Sequence, residues 1–329
     1  MDTLLPLTEA ISLTAGHPRS VLLGNGFSVS RASGSFSYKN LFEHCALPDP
    51  SAIRSLFAAL DTVDFERVME ALEDASVVET AYDATDRASL FKEAAATLRE
   101  ALITAIRTVH PSIQYEVPEH QNTACADFLA NFENSFTLNY ELLLYWVILN
   151  ASALKHRDGF GLGKEIGGFR TFSEDADCSI YYLHGALHLF LSKQLDTQKR
   201  ILTSTTILDA ISETIRRRGQ LPMFVAEGTS AQKLSKIFSI PYLRICYDKL
   251  TAASGSLFVF GHSVSDNDAH IYDAIFESNI ETFVFCVHNP AQNLPEMKER
   301  LARYRERRVD IKFLYVDAST ANVWHAVKP

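Results

Sequence analysis

The chain has 329 residues, which at roughly 150 residues per domain allows two domains or one large domain with an insertion. Hydrophobic residues make up 47% and charged residues 22%, a balance that excludes a disordered or fibrous chain. A formal charge of −9, with a pI of about 5.7, argues against a general nucleic-acid binder, because phosphate contacts need clustered Lys and Arg.

Arg19–Leu23 reads as a short apolar strand running into the turn Gly24-Asn25-Gly26. The next region is helical in pattern. Phe65, Val68, Met69 and Leu72 recur at helical spacing, and so do Leu90, Ala94, Leu98, Ala101, Ala105 and Ile106. Residues 46–127 are therefore expected to be a helical insertion within one domain of 1–329, with Pro111 and Pro118 in a linker. Strand character returns at Asn134–Leu138, which ends in Asn139-Tyr140-Glu141 before an apolar helix, Leu142–Asn150. Asp158–Gly168 is rich in glycine and reads as a mobile loop. Three stretches, Ser179–Leu183, Ser256–Phe260 and Thr282–Val287, read as strands ending at His184-Gly185, Gly261-His262-Ser263 and His288-Asn289-Pro290. A last strand, Ile311–Val316, ends at Asp317. Phe224–Gly228 reads as either a structural turn or a piece of pocket wall.

These strands are continuous apolar runs, the mark of a parallel sheet covered on both faces. The expected fold is α/β: a doubly wound, mostly parallel Rossmann-like sheet with a helical insertion. The basic clusters Arg216–Arg218 and Lys298–Arg308 read as solvated helix faces. Cysteines at 45, 125, 178, 246 and 286 form no C-x-x-C pair, so reduced thiols and no zinc are expected. No charged leader or apolar run of bilayer length is visible, and the expected setting is cytoplasmic, without membrane contact.

In a doubly wound sheet, ligands bind beyond the carboxyl ends of the strands. The glycine turn at 24–26 can approach a phosphate, with amide donors from the helix that follows. It is not G-x-G-x-x-G, since Val29 stands where the third glycine belongs. Asn139 either caps the next helix or orients a sugar hydroxyl or a water. His184 is either a structural histidine or a general base with a pKa near neutral. His188, one helical turn later, reads as structural. Asp266 and Asp268 either orient the site or cap a helix beginning near Ala269.

Taken together these residues resemble the sirtuin family. Gly24-Asn25-Gly26-Phe27-Ser28 is similar to its G-A-G-x-S, Thr137-Leu138-Asn139-Tyr140-Glu141 to its T-x-N-x-D, and His184-Gly185 to its catalytic H-G. Gly261-His262-Ser263 is similar to its G-T-S, and Asn289 to the Asn after the next strand. The departures are the absent C-x-x-C pairs, the lack of P-D-F-R after Ser28, Glu141 for Asp and His262 for Thr. These losses look like those of zinc-free bacterial sirtuin-like NADases of antiphage defence.

The resemblance implies that NAD is the substrate and that Asn139 and His184 are catalytic. It implies further that Gly24, Asn25, Gly26, Phe27 and Ser28 cradle the diphosphate, and that Glu141 accepts from the nicotinamide amide. Gly261 and Ser263 would touch phosphate or ribose, Asn289 the adenine-side ribose, and Asp268 the cofactor. The implied partners are NAD or ADP-ribose, with a homo-oligomer or a defence-system protein. The alternatives are a non-catalytic NAD or ADP-ribose module gating a partner, and a zinc-free deacylase or ADP-ribosyl transferase.

Overall fold

The structure, a computed structural model, describes residues 4–31, 45, 50–110, 117–151, 154–192, 194–201, 206–225 and 229–325. Pro111, Ala226-Glu227-Gly228, and parts of the expected insertion and of the stretch after Ser28 lie outside the described residues.

The chain opens with β1 (Leu4–Leu5), α1 (Leu7–Leu13), β2 (Arg19–Leu23) and the short α2 (Gly26–Val29). Four helices follow: α3 (Pro50–Ala59), α4 (Phe65–Ala81), α5 (Thr85–Val109) and α6 (Glu119–Leu129). Phe65, Val68, Met69 and Leu72 form the buried stripe of α4, as their spacing requires. Next come β3 (Asn134–Thr137), α7 (Leu143–Asn150), β4 (Glu165–Ile166), β5 (Phe169–Thr171), β6 (Ile180–Tyr182), β7 (Gly185–Leu191) and β8 (Thr197–Arg200). The last part holds α8 (Ile207–Arg218), β9 (Pro222–Phe224), α9 (Ser230–Ser239), α10 (Pro241–Thr251), β10 (Ser254–Phe260), α11 (Ala269–Glu277), β11 (Asn279–Val287), α12 (Pro290–Arg307) and β12 (Lys312–Asp317). No described helix is long and apolar enough to cross a membrane.

The central sheet has seven strands in the order β1-β12-β11-β10-β2-β3-β6, and every pairing is parallel. Its middle strands are buried on both faces, with Val21, Leu22, Leu23, Leu257 and Val259 fully enclosed. The architecture is the expected α/β, Rossmann-like one. From β2 the chain winds outward through β3 to β6. It then returns to the other side of β2 and winds outward again through β10, β11 and β12. The winding direction therefore reverses between β2 and β10, which places a crevice beyond their carboxyl ends.

A second, five-stranded sheet, β4-β5-β8-β7-β9, is antiparallel and was not expected. The glycine-rich loop closes partly into a hairpin: Ile166 pairs Phe169 across Gly167 and Gly168, both with positive φ, as a two-residue primed turn demands. The segment after His184 is strand, not helix, so His188 lies within β7 rather than a turn along a helix. The chain passes from the first sheet to the second at Leu183-His184-Gly185. Gly185 has φ +76°, and a Cβ there would sit 2.0 Å from the Met223 carbonyl oxygen.

Candidate active site

Beyond β2, β3, β6 and β10 lies a cavity of about 890 Å³. Asn25 and Gly26, Asn139 and Tyr140, His184, and Gly261, His262 and Ser263 line it from those four strand ends. Asp268, Lys233, Arg300 and Trp324 complete the parts that matter chemically.

The β2 and β10 turns lock together through their backbones. Gly24 N–H donates to Phe260 O (2.9 Å) and Gly26 N–H to Gly261 O (2.7 Å). A Cβ on Gly24 would lie 2.6 Å from Gly261 O, one on Gly26 2.6 Å from Gly261 Cα, and one on Gly261 2.5 Å from Phe27 N. The three glycines are thus explained first by the approach of two loops, before any ligand. Phe27 N–H donates to Gly24 O and Ser28 N–H to Asn25 O. The expected row of free amide donors is therefore not there, because Gly24, Gly26, Phe27 and Ser28 use theirs within the protein. The cations on the cavity wall are side chains, Lys233 and Arg300.

Asn139 does not cap α7. Its amide nitrogen donates to Gly24 O (2.9 Å) and to Ser28 Oγ (3.1 Å). With both donors engaged, its carbonyl oxygen is the group left for a ligand. Ser28 O–H donates in turn to Glu141 Oε1 (2.7 Å), and Glu141 Oε2 accepts the Leu143 N–H at the start of α7. Glu141 thus satisfies the first amide of α7, and His110 Nε2 accepts the Leu142 N–H just before it (3.0 Å). Glu141 is only 1% exposed, behind the cavity wall rather than on it, so the structure does not bring it to a ligand. Burial pushes its carboxyl up to about 7, against the pull of the Ser28 and Leu143 hydrogen bonds. Ser28 and Phe27 are also fully buried; Phe27 packs on Trp324, whose Nε1–H donates to Phe27 O (2.6 Å).

His184 is 7% exposed and lines the cavity. Its Nε2 stands 3.2 Å from Nε2 of His270, the first buried side chain of α11. Burial lowers His184 to about 3 and His270 to about 4, so both rings are neutral at physiological pH. The near-neutral pKa expected of His184 is replaced by a strongly depressed one, because the ring is desolvated. His188 is fully buried in β7, stacked on Tyr145 at 4.5 Å.

Asp268 sits among cations and donors. Lys233 Nζ is 2.7 Å from Oδ1, and His262 Nε2 is 3.2 Å from Oδ2. Burial works against its charge, but the His262 hydrogen bond and the neighbouring charges hold the carboxyl well below the usual range. It makes no helix-capping bond. Asp266 is exposed and pairs with Arg303 at 3.0 Å. Asn289 lies outside the cavity: it is exposed, has φ +45° before α12, and bonds Gln292 at 2.9 Å. On that strand end His288, not Asn289, reaches the lining.

Of the residues expected from sequence, Asn25, Gly26, Asn139, His184, Gly261, Ser263 and Asp268 line one cavity. Gly24, Phe27, Ser28 and Glu141 stand behind it as its support. His270, Lys233 and Ser230 escaped the sequence reading. His270 follows the Asp266-Asn267-Asp268 cluster by two residues, and that proximity was the available signal.

The fold and cavity define an α/β protein with a crevice at the switch point of a parallel sheet. The chain belongs to the family described as a domain of unknown function, DUF4917, whose model matches residues 21–324. No curated protein matches it. Among solved structures it is similar to Sir2Tm bound to a propionylated peptide, with TM-score 0.36 and 11% identity over 90% of this chain and 98% of that one. A Sir2 homologue in complex with NAD gives TM-score 0.37 and 14% identity over 91% and 94% of the two chains. A mutant Sir2 homologue in complex with ADP-ribose gives 0.36 and 13% over 92% and 97%.

Proposed function

We propose that this protein is an NAD glycohydrolase, cleaving NAD to nicotinamide and ADP-ribose. The observation that carries the reading is convergence. Four separate sirtuin-like motifs, far apart in sequence, bring Asn25, Asn139, His184 and Ser263 to one cavity at the switch point.

The nicotinamide leaving group of NAD is already cationic, so its departure needs no acid, and the sugar passes through an oxocarbenium-like state. The protein's share is positioning and a path for one proton. Asn139 offers its carbonyl oxygen to a ribose hydroxyl or to the attacking water. His184, neutral through burial, receives the water's proton. Arg300 and Lys233 are the cations of the wall offered to the diphosphate, each paired there with a carboxylate, Arg300 with Glu296 (2.7 Å) and Lys233 with Asp268 (2.7 Å). Ser263 and Gly261 border the same part of the cavity, and Asp268 orients His262 and Lys233. The family resemblance also motivates the proposed setting: bacterial antiphage defence in the cytoplasm, in a homo-oligomer or beside a partner protein.

The test is to incubate the pure protein with NAD and measure nicotinamide and ADP-ribose. Release of both without an acyl-peptide supports the reading. Thermal stabilisation by NAD with no release would replace it with a nucleotide-binding module, and release only with an acyl-peptide would replace it with a deacylase. The proposal includes no zinc. Elemental analysis should find none in stoichiometric amount, and chelators should leave the fold intact. One tightly held zinc per chain would revive the deacylase reading.

A further inference from the structure

We propose that His270 is a positioning residue for His184: it accepts the His184 Nε2–H and so turns the Nδ1 lone pair of His184 toward the cavity. The proposal rests on the NAD-hydrolysis reading and assigns the proton path within that site.

The argument is one of proton accounting. The two Nε2 atoms lie 3.2 Å apart, so one ring donates and the other accepts. Ser230 Oγ accepts the His270 backbone N–H at 2.8 Å and stands 3.1 Å from His270 Nδ1. A hydroxyl oxygen accepts twice, so His270 Nδ1–H can donate to it while His270 Nε2 stays a bare acceptor. His184 then carries its proton on Nε2 and its lone pair on Nδ1. The mirror arrangement would tie up the His184 lone pair against His270 and leave its Nδ1 protonated, so that His184 could not act as the base.

The surroundings favour a proton path over a metal. The ligand atoms of His184, His270 and Asp268 lie within 4.8 Å of one another, close enough to gather round a cation. Both Asp268 oxygens, however, already have donors. Val264 N–H donates to His262 Nδ1 (2.9 Å), which fixes the His262 proton on Nε2, and from there it donates to Asp268 Oδ2. Lys233 holds Oδ1. The Lys233 ammonium stands against a divalent ion there; it also weighs against a proton on His184, which the Asp268 carboxylate favours. The titratable groups around the pair are Asp268, Lys233, His262 and, toward His270, Asp273.

In the proposed step the C1′–N bond to nicotinamide breaks and its electron pair stays on nicotinamide. Water oxygen bonds to C1′, and its proton passes to His184 Nδ1. The imidazolium so formed keeps its Nε2–H on His270 until the proton leaves to solvent. NAD and water give nicotinamide, ADP-ribose and one proton.

Two readouts test this in the full chain. Nitrogen NMR of histidine-labelled protein should show His184 protonated on Nε2 and His270 on Nδ1. The opposite tautomers overturn the proposal whether or not NAD is cleaved. In turnover, His270→Ala should lower kcat roughly 100-fold with KM for NAD little changed. His270→Gln, whose side-chain oxygen can accept the His184 proton, should recover most of that loss and also guards against a folding failure of the Ala variant. Wild-type kcat in His270→Ala overturns the proposal. So does stoichiometric binding of added zinc or manganese that is lost in His270→Ala, which would make the trio a metal site. A wild-type protein that cleaves no NAD overturns the hydrolase reading instead, while the tautomers still decide the pairing.

Discussion

The two walls of the cavity are built by different means. On one side Gly24, Gly26 and Gly261 press two backbones together, and the amides of Gly24 and Gly26 are consumed in doing so. On the other, His184, His262, Asp268 and Lys233 line the cavity and meet through side chains, with His270 behind His184, these two rings neutral and the carboxylate caged. The glycine wall is architecture: no added atom fits, and nothing in it changes protonation. The histidine wall is chemistry on a rigid base: its side chains can be altered while the backbone that presents them stays paired. Asn139 joins the two, bonded to Gly24 on one side and open through its carbonyl oxygen on the other.

The largest effect should come from breaking the glycine wall. Gly261→Ala forces a φ of +73° on an L-residue, about 1–2 kcal/mol, and drives Cβ to 2.5 Å from Phe27 N. The loss of folding stability is expected to be about 3 kcal/mol or more once that clash is added. The midpoint of urea unfolding measures it. A Gly261→Ala protein as stable as wild type would mean that the β2 and β10 turns are not locked.

Asn139→Asp tests the residue that bridges the walls. From sequence, Asp would be tolerated if Asn139 were a helix cap, since Asp caps as well. The bonds seen here remove that possibility. A carboxylate would face the Gly24 carbonyl oxygen across 2.9 Å and lose the donor to Ser28. Stability should fall by about 1–3 kcal/mol, as for a buried group left unpaired. Turnover should fall roughly 100-fold, about 2.7 kcal/mol of barrier, because charge replaces the amide at the sugar. Wild-type turnover in a folded Asn139→Asp protein would remove Asn139 from the mechanism.

The same contrast explains what could be read from sequence. The central strands were legible because Val21–Leu23, Leu257–Phe260 and Phe283–Val287 are uninterrupted apolar runs, and strand ends at a switch point are where ligands gather. The second sheet was not legible. Glu165–Ile166 and Thr197–Arg200 are short and largely polar, and they become strands only through their partners. Gly185–Leu191 is an apolar run that periodicity cannot assign to helix or strand. His270 lay hidden because its helix buries Ile271, Tyr272, Ala274 and Ile275 beside it, so it reads as one more core position. The free amides expected of the Gly24–Ser28 turn were misjudged because glycine spacing does not say which backbone approaches it. Here the second backbone is Gly261.

The smallest expected effect, and the one that sets the two walls directly against each other, is the pH dependence of stability. His184 and His270 fall from an ordinary 6.5 to about 3 and about 4, because burial disfavours their charge. Below pH 6.5 the unfolded chain takes up protons that the native rings refuse, so both groups destabilise the fold increasingly as pH drops toward those values. Glu141, behind the glycine wall, runs the other way. Burial raises it from 4.5 to about 7, so its contribution is fully present below pH 4.5 and is lost as pH rises through 7. Near pH 5.5 the unfolded chain gains about two protons on the histidines and lacks about one on Glu141. The net difference is about one proton, or roughly 1.4 kcal/mol of added stability per pH unit of rise. Burial also lowers His188 and His156, which add to the slope in the same direction, so urea midpoints at pH 5, 5.5 and 6 should show at least that slope, and the substitutions isolate single groups. His184→Gln should flatten it by about one proton, and Glu141→Gln should steepen it by about one. If Glu141→Gln leaves the slope unchanged, the carboxyl is ionised in the fold throughout this range, and the wall behind Asn139 is charged where burial argues that it is neutral.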